Sequence, residues 1–103
     1  MSSTEIPPGV EIEDVYLVEA TYTPEAADRR PAVRGAHISR LVELMAAGTL
    51  IEAGAYKDVS SSILVVRAAS EEEALALARA DIFVSAGVWG AITARPFGRV
   101  KTS

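Results

Sequence analysis

Leu50 to Ala68, LIEAGAYKDVSSSILVVRA, decides the fold of this 103-residue chain. Two short runs, Leu50 to Tyr56 and Ser62 to Ala68, are rich in aliphatic residues, and only Lys57, Asp58, Val59 and serines separate them. So short a link joins antiparallel neighbours, because a parallel crossover needs roughly a dozen residues or more. The stretch therefore predicts a β-hairpin in the middle of the chain.

A helical pattern lies on each side of that hairpin. From Pro31 to Ala47 the apolar residues Ala32, Ala36, Leu41, Leu44 and Met45 recur at helical spacing. Pro31 suits a first-turn position there and Gly48 a C-terminal cap. After the hairpin, Ser70-Glu71-Glu72-Glu73 reads as a capping box that opens a second helix running to about Ala80. Asp81 to Gly87 reads as one further helical turn. The outermost elements are strands: Val15 to Tyr22, and Val88 to Phe97, the latter ended by Pro96 and Gly98.

The order is β-α-β-β-α-β, the α+β split βαβ pattern of a ferredoxin-like sandwich with a four-stranded antiparallel sheet. Both helices then cover one sheet face, and a sheet covered on one side alternates apolar with polar residues. Val15 to Val18 and Ile63 to Val66 are instead apolar on both faces, and theirs are the two central strands of that topology. No element remains to cover the second face. A second copy of the chain is the expected cover, giving a homodimer with facing sheets.

Composition narrows the function. One compact domain fits this length, spanning residues 15–103 behind an acidic N-terminal extension, 1–14. There is no Cys, which removes disulfides, thiol catalysis and thiolate metal sites and leaves a cytoplasmic location as the default. His37 is the only histidine, so several imidazoles on one metal are not available within one chain, and no metal or cofactor is expected. Asn and Gln are absent as well. A net charge of -4 and a pI near 4.9 argue against nucleic acid. Residues 1–28 carry seven acidic and no basic side chains, whereas the remainder carries ten basic and seven acidic ones. The first fourteen residues lack the apolar run of a signal or membrane anchor and, with Pro7, Pro8 and Gly9, read as an extended arm, either solvated or lying on Arg and Lys. No membrane partner is expected.

Near-neutral acid/base chemistry converges on His37. It stands three residues after Arg34 and four before Leu41, on one side of the first helix. A lone histidine on such a face is commonly a packed core residue, and Asp81, opening the last helical turn, is commonly an N-cap. If the two side chains met, the carboxylate would orient the ring, select its tautomer and favour its protonated form. Ser60, Ser61 and Ser62 are turn residues before they are nucleophiles, and no nucleophile elbow surrounds them.

Several blocks in order carry a resemblance: Arg34-Gly35-Ala36-His37-Ile38-Ser39-Arg40-Leu41, Gly48 to Gly54, Ser62, Ala80-Asp81-Ile82-Phe83-Val84-Ser85-Ala86-Gly87-Val88-Trp89, and Arg95-Pro96-Phe97. Over about residues 15–100 the chain resembles the YCII-related (YciI-like) proteins. The resemblance implies a dimeric α+β barrel of ferredoxin-like subunits and a His/Asp pair in a pocket, matching His37 and Asp81. It also implies Arg34 and Ser62 as ligand-binding residues, from the family's R-P-x-H and G-S motifs. The chain departs from the family where Ile82 replaces a Pro after the Asp and Ala55 a Pro after Gly54, and its strand two to three loop is short. These departures bear on the shape of the pocket.

One branch of the family resembles lyases that eliminate chloride from chlorinated hydroxyquinols, and similar barrels host isomerases and cofactor-free oxygenases. Two readings follow. One is a small cofactor-independent enzyme, a lyase or isomerase acting on an aromatic or enol-type metabolite. In it the catalytic residues His37 and Asp81 form a general acid/base dyad, and Arg34 and Ser62 bind an anionic oxygen. The other is a non-catalytic dimeric module that binds a small molecule or a protein. Trp89, Phe83 and Tyr22 are pocket walls or core in either.

Overall fold

The structure, a computed structural model, describes residues 5–102. Its elements follow the expected order: β1 (Val10–Tyr22), α1 (Ala26–Ala46), β2 (Leu50–Ala55), β3 (Ser61–Val66), α2 (Glu71–Arg79), α3 (Ile82–Ser85) and β4 (Trp89–Thr102). The four strands form one antiparallel sheet in the order β2-β3-β1-β4, so the two-faced runs of β1 and β3 are central, as the ferredoxin-like topology requires.

The hairpin that decides the fold pairs Ala55 with Ser62 and Ala53 with Leu64, and Val59 takes a positive φ of 58° in its turn. On the covered face Val18, Ala20, Leu64, Val66, Leu50 and Ala94 meet Ala26 and Leu41 of α1, Ala74 and Ala78 of α2, and Phe83 of α3. Ser70 Oγ accepts from the Glu73 amide at the start of α2, as the capping box predicts, although Glu73 reaches back to the Ala69 amide rather than that of Ser70.

Three boundaries differ from the sequence reading by five residues each, the others by no more than two. α1 begins at Ala26, so Pro31 lies inside the helix, where it forgoes one amide bond, rather than in its first turn. β4 runs through Pro96 and Gly98 to Thr102. It is an edge strand, and an edge tolerates a residue without an N–H. β1 begins at Val10, so residues 10–14, read as part of the extension, are strand and pair with residues 98–102. Beyond the reach of β3 these two strands continue as a ribbon, and the molecule is 56 Å long but only 25 Å across. Glu13 anchors the ribbon by accepting from Arg67 and, at 2.8 Å, from Arg99. Residues 1–4 of the extension lie outside the described residues.

Candidate functional site

His37 is placed by the buried stripe of α1. Ala32, Ala36 and Met45, expected on that stripe, are exposed; the inward positions are Ala26, Val33, His37, Leu41 and Leu44. The histidine thus occupies a core position one turn before Leu41 and is 5% exposed. Its ring stacks on Phe83, with centroids 3.6 Å apart and planes 11° off parallel, and meets Trp89 edge to face at 5.1 Å. Two aromatic rings fix the imidazole plane.

Asp81 approaches from the N-terminus of α3. Its carboxylate is 1% exposed and fully partnered. Oδ1 accepts from the Phe83 amide at 2.9 Å and lies 2.7 Å from His37 Nδ1, while Oδ2 accepts from Arg40 Nη1 at 2.9 Å. The helix cap and the histidine contact are therefore made by one oxygen. Arg40 is held in turn by the Leu77 carbonyl, to which its Nη2 donates at 2.8 Å. Burial alone pushes the Asp81 carboxyl up, but the His37 hydrogen bond, the Phe83 amide, the His37 charge and Arg40 together outweigh it and hold the group below its ordinary value. A carboxylate accepting from Nδ1–H leaves Nε2 as the ring atom without a protein partner among the described residues.

That ring borders a cavity of about 200 Å³. Tyr22, Leu41, Phe83 and Trp89 give it apolar walls, and Arg30, Arg34 and Ser62 give it polar ones. Trp89 Nε1 donates to Ser62 Oγ at 3.2 Å, and Ser62 Oγ donates to the Tyr22 hydroxyl at 2.9 Å. The chain of donors ends on Tyr22, whose own O–H is left for a ligand. His37, Arg34 and Ser62 line this one space, and Asp81 stands behind the histidine. Gly54 and Ala55 also line it, whereas Ile82 packs into the core instead. Arg40 and Arg30 carried no role in the sequence reading. Arg40, three residues after His37, could have been suspected from helical spacing, but its contact with Asp81 depends on how α1 and α3 pack. Among the described residues no three His, Asp or Glu side chains converge as a metal site, and no helix is long and apolar enough to cross a membrane.

Fold and site together define a ferredoxin-like α+β domain with a carboxylate-braced histidine at the wall of a small, mostly apolar cavity. Residues 15–98 match the model of the YCII-related domain, and the chain belongs to that family. Protein YciI of Escherichia coli O6:H1 (strain CFT073) is 32% identical over 96 residues, which cover 84% of this chain and 98% of that protein. Protein YciI of Shigella flexneri matches to the same extent. A solved structure of similar fold is the 5-chloro-2-hydroxyhydroquinone dehydrochlorinase TftG of Burkholderia phenoliruptrix AC1100 in complex with 2,5-dihydroxybenzoquinone. Its TM-score is 0.69 at 23% identity, covering 81% of this chain and 92% of that one.

Proposed function

We propose that this chain is a cofactor-independent enzyme that moves a proton on an aromatic or enol-type small metabolite, in a lyase or isomerase reaction. The observation that carries the reading is the buried 2.7 Å contact between His37 and Asp81 at the wall of a ring-sized cavity. With Nδ1–H given to Asp81, Nε2 presents its lone pair and takes a proton from a substrate hydroxyl or acidic carbon. The electron pair left behind spreads through the conjugated system. It then either recaptures the proton at another atom, an isomerisation, or expels a leaving group, an elimination. Asp81 balances the imidazolium charge and keeps its own proton affinity low, so the proton stays on the ring.

The Tyr22 hydroxyl, held by Ser62, donates to the developing anionic oxygen, and Arg34 adds a favourable positive field from the cavity wall. The similarly folded dehydrochlorinase acts by name on a hydroxylated aromatic, and that supports an aromatic substrate here. The protein acts as a homodimer in the cytoplasm, its bare sheet faces turned toward each other.

Purified His37→Ala is to be compared with wild type on a panel of phenolic and lactone metabolites. Any substrate turned over by wild type should lose about 100-fold or more in kcat, the usual worth of a general acid/base. Equal turnover by both proteins would remove His37 from the mechanism.

A further inference from the structure

Two guanidinium groups meet the cavity without a counter-ion. Arg30 and Arg34 lie one turn apart on α1 and both line the inner cavity. Both also line a second space of about 520 Å³ that α1 forms with Val59 of the β2–β3 turn. The two arginines therefore stand where the inner cavity opens into an outer groove.

No Asp or Glu lines either space, and neither arginine has a carboxylate partner among the described residues. Arg30 lies over the Tyr22 ring, its CZ 5.7 Å from the centroid, and its Nε is enclosed with no hydrogen-bond acceptor. A buried donor left unpaired is costly, and an unpaired cation at a cavity mouth is expected to recover that cost when an anion binds. In a chain of net charge -4, two adjacent cations facing a cleft without acids form a local exception.

We propose that Arg30 and Arg34 form a carboxylate subsite, so that the substrate is a single aromatic or enol ring carrying a carboxylate substituent. The proposal rests on the proton-transfer reading only for the chemistry at the other end of the ring. The inner cavity sets the ring size: an apolar hole of roughly 150 Å³ takes benzene, so about 200 Å³ takes one substituted ring. The ring packs beside His37 and Trp89, and the carboxylate points outward to the guanidinium pair, whose fork geometry suits a planar anion. Val59, at the outer end, limits how bulky the substituent can be.

The test compares two probes that differ only in the anion, phenol and 4-hydroxybenzoate. Binding to the full-length protein is read by calorimetry and by the indole N–H resonance of Trp89, the sole tryptophan. Wild type should bind 4-hydroxybenzoate about tenfold more tightly than phenol, the usual scale of a charge-assisted contact near solvent, and added salt should erode only that preference. Arg30→Met should bring 4-hydroxybenzoate close to phenol while phenol binding stays as in wild type, which also shows that the variant is folded; Arg30→Lys should keep most of the preference. Equal affinity of wild type for both probes, no saturable binding of 4-hydroxybenzoate, or an equal loss of both probes in a folded Arg30→Met would each overturn the subsite. Because these readouts need no turnover, failure of the His37 mechanism leaves them unaffected and distinguishable.

Discussion

Asp81 was open to two readings from sequence, a helix cap or the orienting partner of a histidine. One carboxylate oxygen serves both, since the Phe83 amide and His37 Nδ1 converge on Oδ1 while Arg40 takes Oδ2. Residue type and spacing marked His37 and Asp81 singly, and only the family resemblance paired them; their 2.7 Å approach depends on the packing of α1 against α3, which no local pattern encodes. Arg40 escaped notice for the same reason. Asp81→Asn replaces the accepting oxygen facing Arg40 or His37 with a donor or a weaker acceptor. It should lower kcat by about two orders of magnitude and cost about 1 to 3 kcal/mol of stability at neutral pH. The pH dependence has a definite sign. The folded carboxyl sits below its ordinary value of 3.8, so the unfolded chain takes up the proton first as pH falls. The Asp81 contribution is complete above that ordinary value and disappears as pH drops through the folded one. Denaturant midpoints of wild type and Asp81→Asn should therefore keep their gap at neutral pH and draw together only as the pH is lowered through 3.8 and below. A gap that stays constant would show that Asp81 stabilises the fold without its charge.

At the scale of elements, the hairpin and both helices were legible because each carries its own local signals: short link, capping serine, Gly48 at the end of α1. The errors fell where a residue's meaning depends on a distant neighbour. Pro96 reads as a strand terminator, yet β4 is an edge and continues past it, and edge position is a property of the whole sheet. Gly98 permits that continuation, since a Cβ there would sit 2.9 Å from Ile12 Cγ2 across the ribbon. The short helix α3 depends on another glycine. Gly87 takes a φ of 76° and donates to the Val84 carbonyl, while Val88 donates to that of Phe83, an ending that turns the chain into Trp89. Both Asp81 and Phe83 are set by this four-residue element, so its ending also positions the histidine. A Cβ at Gly87 would meet the Arg29 Nη1 at 2.3 Å, a flexible tip that can move aside, so the backbone conformation dominates the cost. Gly87→Ala should destabilise by about 1 kcal/mol, seen as a lower denaturant midpoint; an unchanged midpoint would mean that α3 adopts a different ending.

For the molecule as a whole, the decisive asymmetry is that α1, α2 and α3 are packed into the core on one side of the sheet, while Leu17, Ile63 and Val65 belong to neither the core nor its packed neighbours. These three alternate with core residues along β1 and β3 and so point to the other face, where they are only half-buried. Exposed Phe97, the β4 partner of Val15, lies on this same face. Two-sided apolar patterning in central strands was the clearest whole-molecule signal in the sequence, because it conflicts with a sheet covered once. Contiguous apolar surface of this kind is uncommon on a monomer, and an identical sheet face is its natural complement under twofold symmetry. Val65 sits in the middle of β3, one of the two central strands, so a charge there would lie at the heart of such an interface, unpaired and opposite its own copy. Wild type should scatter light as twice the 10.9 kDa chain at micromolar concentration, and Val65→Glu as a single chain with its circular dichroism intact. If the wild type already has the mass of one chain, the sheet face is a tolerated surface and the cavity must work within a single subunit.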